Sequence, residues 1–251
     1  MRWFNRFFKE ARVRAPIDDA LWREIEGRLP CLDRFDPNAR HRLRAMALEF
    51  LATKEFHGAD GLVVTDSMRA AIALQACLPV LELGLSAYKD WLGIVVYNDK
   101  FVAQRQVLDK DGIEHQYEET ALGEASEFGP VVLGWFDDDA AYDGANVVIH
   151  EFVHMLDMLN GEADGCPPLH AGMSNEIWDS TFDQAYNHFC DRIDAGDETL
   201  IDPYASDDPA EFFAVCSEVF FMAPENLRDA YPAVYVQLSL FFKQDPLAIA
   251  E

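Results

Sequence analysis

The sequence predicts an α+β protein, because helical periodicity gives way to strand patterns near residue 91 and returns near residue 146. In the first part of the chain, apolar residues recur at the spacing of a helix face. In the middle part, short runs rich in Ile and Val are separated by turn residues. From Asn146 onward, helical segments alternate with loops. We therefore expect helices before and after a small mixed sheet.

The helices of the first part can be placed from their periodicity and their caps. Helical spacing extends over residues 20–28 and over residues 37–56. A loop is expected near residues 57–61. Thr65 or Asp66 can then cap a third helix.

The middle part predicts several strands. Residues 91–97 form a short strand, and residues 102–108 and 113–120 flank an Asp-Lys-Asp-Gly turn at 109–112, which predicts a hairpin. Residues 129–136 form another strand, directly before the last helical part. If it lies at a sheet edge, it can accept an extended peptide by strand addition, and if it lies inside the sheet it is an ordinary core strand. Both placements are open.

The chain divides into a basic, aromatic N-terminal segment, residues 1–16, and a single domain, residues 17–251. The segment has no apolar core of the kind found in signal peptides. It can be a basic amphipathic helix that touches a membrane surface or a partner protein, or a locally packed terminus. Its basic and aromatic residues are Arg2, Arg6, Lys9, Arg12 and Arg14 with Trp3, Phe4, Phe7 and Phe8.

The composition excludes several classes of protein. The formal net charge is −25, which repels nucleic acid phosphates and argues against direct DNA or RNA binding. No apolar run is long enough to span a membrane. The 5 cysteines are scattered and form no Cys-x-x-Cys pair, which is typical of thiols in a reducing compartment. We therefore expect a cytoplasmic protein.

The most informative motif is His150-Glu151-Phe152-Val153-His154. Residues at i and i+4 lie on one face of a helix, so both imidazoles can reach one metal ion. In this pattern two histidines hold zinc, and the glutamate between them takes the proton of a water.

The surroundings of the motif predict a buried helix. Asp143, Gly144 and Asn146 are start signals, and Asn160-Gly161 is a stop signal. The residues between them are apolar over most of the circumference, so the two histidines are expected inside the protein or at the floor of a cleft. The alternative is a pair of core histidines that bond to backbone groups.

A catalytic zinc needs a third protein ligand. Asp208 as N-cap and Pro209 at the first helical position predict a helix whose first turn carries Glu211. Glu211 can be that ligand, or it can be the second half of a capping box with Asp208. Glu218, on the same helix face, is the rival ligand. The residues alone leave these alternatives open.

The metzincin spacing is absent, because its glycine and third histidine are replaced by Asp157 and Asn160. Asp157 follows His154 by three residues and shares the ligand face of the helix. We expect it to support a histidine or a neighbouring helix rather than to bind metal, since it would crowd the histidine of its own helix.

The chain resembles the Mlc titration factor A family of bacterial zinc peptidases from near Leu62 onward. The peptidase domain of anthrax lethal factor has a similar pair of motifs, with a tyrosine seven residues before the glutamate ligand, as Tyr204 stands before Glu211 here. The matching stretches are residues 73–79, residues 129–135, the helix of residues 150–157, and residues 201–205 leading to residues 209–218.

The resemblance implies a zincin-like metallopeptidase fold with a small mixed sheet, a buried His-Glu-x-x-His helix and a helical C-terminal half. It implies that His150, His154 and Glu211 hold Zn²⁺, that Glu151 is the general base, and that Tyr204 lies near the reacting carbonyl. A packed aromatic in a turn is the alternative for Tyr204.

The expected function is that of a zinc-dependent peptidase acting on a peptide or protein substrate, with aminopeptidase favoured over endopeptidase. The resemblance also implies that a transcriptional repressor of sugar-uptake genes is a partner. The alternative is a regulatory protein with little or no catalysis that sequesters such a repressor.

Overall fold

The structure, a computed structural model, describes residues 17–89, 91, 93–108, 114–126, 129–135 and 146–248. It confirms the α+β class, with helices on both sides of the strand region in the sequence. The basic segment of residues 1–16 and the hairpin turn of residues 109–112 lie outside the described residues.

Three longer helices and one short strand form the first part of the domain. They are α1 (Asp19–Gly27), α2 (Pro37–Thr53), β1 (Glu55–Gly58) and α3 (Asp66–Cys77). The N-cap of α3 is Thr65, whose side chain accepts a hydrogen bond from the backbone N–H of Met68. The expected helix of residues 37–56 was too long, because it ends at Thr53 and the chain then enters β1.

The strands form a four-stranded sheet and a separate hairpin. In chain order they are β2 (Gly93–Tyr97), β3 (Phe101–Leu108), β4 (Glu114–Ala121), β5 (Gly123–Glu124) and β6 (Val131–Gly134). The sheet order is β1-β2-β6-β5, with β1, β2 and β6 parallel and β5 antiparallel to β6. β3 and β4 pair with each other in the predicted hairpin.

This order places the strand before the His-Glu-x-x-His motif inside the sheet. β6 pairs with β2 on one side and with β5 on the other, so it is a core strand. The edge of the sheet next to β6 is formed by β5. This strand was not predicted, because its two residues are too few to show a period.

The C-terminal half is helical, as expected, and supplies much of the core. Its helices are α4 (Val147–Asp157), α5 (Asn175–Ala195), α6 (Pro209–Met222), α7 (Pro224–Ala230) and α8 (Pro232–Phe242). The main core cluster includes residues from Trp22 to Phe242. Of the helices in the described part of the chain, none is long and apolar enough to cross a membrane.

Aromatic packing holds α4 in place. Phe152 is fully buried, and its ring lies 5.6 Å from Phe50, 5.2 Å from Tyr88 and 5.3 Å from Trp91. These edge-to-face contacts fix one side of α4 against the first part of the domain. The opposite side faces α6.

Candidate metal centre

The start of α4 is held by a polar network. The side-chain oxygen of Asn146 accepts the N–H of Ile149 at 3.0 Å and so caps the helix. Its amide nitrogen donates to Gln75 Oε1 at 2.7 Å, which links the cap to α3. The first turn of α4, which leads directly into the motif, is therefore held by its own cap and by a hydrogen bond to α3.

The structure brings His150, His154 and Glu211 together. The Nε2 atoms of the two histidines lie 3.1 Å apart, and Glu211 Oε2 lies 2.9 Å from His150 Nε2 and 3.4 Å from His154 Nε2. Both histidines are buried, and Glu211 is half-buried. Among the described residues, this is the cluster with the composition and spacing to hold a metal ion.

The three atoms fit a tetrahedral metal ion such as zinc. Bonds of about 2.0–2.2 Å to nitrogen and oxygen place neighbouring ligand atoms about 3.3 Å apart, close to the observed triangle. Glu211 Oε2 is buried and has no hydrogen-bond partner within the described residues. A buried carboxylate oxygen without a donor is costly, and a cation at the centre of the triangle would satisfy it.

The start of α6 shows whether Glu211 is only a capping residue. Asp208 does cap α6, since its carboxylate accepts the N–H of Glu211 at 2.9 Å. The Glu211 side chain, however, extends to the histidines. Glu211 therefore uses its backbone in the cap and its carboxylate in the cluster.

Glu218, the rival ligand, lies behind His150 and not in the triangle. Its Oε1 is 2.7 Å from His150 Nδ1, and its Oε2 accepts the backbone N–H of Asn146. A carboxylate on Nδ1 keeps the proton there and leaves Nε2 with a free lone pair. This arrangement prepares His150 for a metal.

The charges in the cluster favour a cation. Burial would lower the pKa of His150, but the neighbouring carboxylates of Glu218 and Glu211 raise it well above its usual value. Burial would raise the pKa of Glu211, but the two histidines beside it lower it far below its usual value. Since protons and metal ions compete for the same nitrogen lone pairs, the field that favours imidazolium also favours a metal.

Glu151 is buried beside this cluster. Desolvation raises the pKa of Glu151 to about 7, against the lowering effect of His150 and His154. Gly123 of β5 packs directly on it, because a Cβ added at Gly123 would lie 2.2 Å from Glu151 Oε1 and 2.6 Å from Cδ. The absence of a side chain at Gly123 therefore leaves room for the Glu151 carboxylate. Sequence reasoning missed Gly123, since nothing near it in the chain indicates this contact.

Tyr204 lies at the mouth of the cluster. It belongs to a 3-10 turn, Pro203–Ser206, whose start is capped by Asp202 through the N–H of Tyr204 at 2.9 Å. The ring centroids of Tyr204 and His150 are 6.0 Å apart, and Tyr204 is 41% exposed. A fully packed aromatic would not be so exposed, so part of the Tyr204 side chain lies open to solvent.

Asp157 lies at the end of α4, outside the triangle. It is fully buried, and its Oδ2 accepts the N–H of Gly165 at 2.8 Å. Burial raises the pKa of Asp157 to about 6, partly offset by the Gly165 hydrogen bond. The structure thus gives Asp157 a contact to the loop that follows α4.

The sequence is similar to a family of metallopeptidases and to several named bacterial proteins. The sequence matches the family model of the glucose-regulated metallopeptidases M90 over residues 4–243. It is 41% identical to Mlc titration factor A of Serratia proteamaculans (strain 568) over 234 residues, which are 91% of this chain and 88% of that protein. It is 38% identical to the proteins of the same name from Yersinia enterocolitica and Yersinia pestis (strain Pestoides F), over 91% of this chain and 87% and 86% of theirs.

The matched region is longer than the stretches that carry the resemblance in the sequence. It begins at residue 4 and so includes most of the basic N-terminal segment.

Proposed function

Because the chain belongs to the glucose-regulated metallopeptidase family M90, we propose that it is a zinc-dependent peptidase of the aminopeptidase type. The observation that carries the proposal is the convergence of His150, His154 and Glu211 on one point, with Glu151 beside it. Two histidines and one carboxylate leave one position of a tetrahedral zinc open for chemistry, as catalytic zinc sites require.

We assign His150, His154 and Glu211 as zinc ligands and Glu151 as the general base. Zinc, when bound, supplies a Lewis acid and lowers the pKa of water to about 7. Glu151 then accepts the proton of the attacking water and delivers it to the leaving amine. Glu218 holds the Nδ1 proton of His150, so the ring keeps the orientation that its ligand role needs.

We assign Tyr204 to the stabilisation of the oxyanion. Its exposure and its position beside His150 support this role, because a hydroxyl there can donate to the oxygen of the reacting carbonyl. The turn that carries it is braced from α5, where the Tyr186 hydroxyl donates to Ser206 O at 3.1 Å.

We propose that the substrate binds in extended form along β5. β5 ends the sheet and contacts Glu151 through Gly123, so a peptide strand added there would pass the proposed base. A free N-terminal ammonium suits the protein electrostatically, since the chain has a net charge of −25. This favours an aminopeptidase over an endopeptidase.

The test compares wild type with Glu151→Gln on aminoacyl chromogenic substrates and on the same substrates with blocked N-termini. Glu162→Gln, an exposed residue in the loop after α4, is the matched control. We expect turnover by wild type and the control, its loss with a chelator and return with zinc, and no turnover by zinc-loaded Glu151→Gln. Full activity in Glu151→Gln would contradict the assignment of the base, and equal cleavage of blocked peptides would contradict the aminopeptidase type.

We also propose a second function, the binding of a transcriptional repressor. The relatives are named for titration of Mlc, and the net charge of −25 suits a partner with a basic DNA-binding surface. Binding of the purified Mlc repressor should weaken as salt increases and should persist in Glu151→Gln. Binding that is absent at low salt would refute this second function without affecting the first.

We place the protein in the cytoplasm. All 5 cysteines are unpaired in the structure, and 3 of them are buried, as is usual in a reducing compartment.

A further inference from the structure

The loop between α4 and α5 makes a close contact with the start of α6. Its residue Gly165 is buried and has a φ of +81°. A Cβ added at Gly165 would lie 2.6 Å from the carbonyl oxygen of Pro209, the first residue of α6. Backbone therefore meets backbone at this point, and no side chain can be inserted without moving α6.

Gly165 is fixed from two further directions. Its N–H donates to Asp157 Oδ2 at 2.8 Å, and its carbonyl oxygen accepts the indole N–H of Trp178 at 3.0 Å. Asp157 is the last residue of α4, and Trp178 lies in the first turns of α5. Trp178 is 1% exposed and stacks on Phe182 with ring centroids 4.3 Å apart, so the donor itself cannot easily shift.

These contacts join the two helices that carry the proposed ligands. Asp157 follows His154 by three residues on α4, and Pro209 precedes Glu211 by two residues on α6. Within such short helical distances the backbone is rigid, so a displacement at Gly165 moves the ligands with it. The contact between His154 Nε2 and Glu211 Oε2, at 3.4 Å, is already the longest side of the triangle.

We propose that Gly165, clamped by Asp157 and Trp178, is a spacer that sets the distance between α4 and α6 and thereby the affinity of the site for zinc. The three are positioning residues, and the proposal rests on the proposed zinc ligands. A side chain at residue 165 must push α6 away by about 0.8 Å, the difference between 2.6 Å and the 3.4 Å of an ordinary contact. The Glu211 carboxylate would then withdraw from the histidines.

The experiment measures zinc affinity of the metal-free protein by competition with a chromogenic chelator. It compares wild type, Gly165→Ala and Gly172→Ala, with circular dichroism to confirm folding. Gly172 is the matched control, because it lies in the same loop with a φ of +100° but has open space around its Cβ position. Both variants thus strain the backbone, and only one moves α6.

We expect zinc binding by Gly165→Ala to be about 10–100-fold weaker than by wild type, the usual loss when the support of a ligand is removed. Gly172→Ala should bind zinc as wild type does. Equal affinity in folded Gly165→Ala and Gly172→Ala overturns the spacer. Absence of zinc binding by wild type would instead refute the proposed metal site, and the spacer with it.

Trp178→Phe tests the spacer proposal if Gly165→Ala does not fold. This substitution removes the indole donor to Gly165 and keeps an aromatic ring in the core. We expect a smaller loss of zinc affinity, at least about threefold, because one hydrogen bond of the clamp is lost. Unchanged affinity in Trp178→Phe overturns the proposal.

Discussion

Gly123→Ala should disable the enzyme while leaving its metal in place. The added Cβ would lie 2.2 Å from Glu151 Oε1, and ordinary contacts begin at 3.4 Å. The carboxylate must therefore retreat by about 1.2 Å, the difference between these distances. Since a misplacement of about 1 Å can reduce a rate about 100-fold, we expect kcat to fall about 100-fold, or about 2.7 kcal/mol in activation free energy.

The assay measures kcat and KM on a chromogenic aminoacyl substrate together with zinc content. Gly93→Ala is the matched control, because Gly93 is also a strand glycine and its added Cβ would make an ordinary contact, 3.4 Å from Pro130 Cβ. Gly93→Ala should retain the wild-type kcat. Gly123→Ala should bind zinc as wild type does, since the proposed ligands are not displaced.

A Gly123→Ala enzyme with wild-type kcat would refute the reasoning. It would mean either that Glu151 is not the base or that β5 moves aside without cost. A loss of zinc together with activity would also contradict it, because the damage would then have reached the ligands.

Four other substitutions test separate parts of the structure. Glu218→Gln should bind zinc about 10–100-fold more weakly than wild type, because one amide oxygen cannot serve both His150 Nδ1 and the backbone N–H of Asn146 at the start of α4. Glu211→Gln should lose most of its zinc at the same concentration. Equal zinc affinities of the two variants in a chelator competition would contradict these roles. The raised pKa of Asp157, about 6 against an ordinary 3.8, stabilises the metal-free protein fully below pH 3.8 and is lost as pH rises through 6. Between pH 4.5 and pH 7, the free energy of urea unfolding should therefore fall by about 2 kcal/mol more in wild type than in Asp157→Asn, and identical pH profiles would exclude this effect. Phe152→Ala should lower the free energy of unfolding by about 3–5 kcal/mol, since the ring is fully buried among three aromatic rings, and a loss under 1 kcal/mol would show that the core refills the space.

Local patterns were sufficient to predict the helix that carries His150, Glu151 and His154. Helical periodicity depends on neighbouring residues, so the spacing of the two histidines already places them on one face. The start of α6 was predicted for the same reason, because the Asp208 side chain accepts the N–H of Glu211, only three residues later in the chain. The end of α2 was missed, since the apolar pattern continues into β1 although the chain changes conformation there.

The roles of Glu211 and Glu218 could not be separated from the sequence. Both lie on one face of α6, and each was able to reach a histidine. The crossing of α4 and α6 decides between them, because it places one carboxylate at Nε2 of His150 and the other at Nδ1. The strand order decided a similar question for the sheet, where β6 became a core strand and β5 the edge.

The sequence by itself determined the class of the protein, the helix with two histidines and a glutamate, and the short set of residues from which a third ligand could come. These follow from interactions over a few residues, which a linear pattern records. Only the tertiary structure decided which carboxylate completes the triangle, why Gly123 and Gly165 have no side chains, and how Asp157 and Trp178 support the site. These contacts join residues far apart in the chain, and their distances depend on the packing of whole helices and strands.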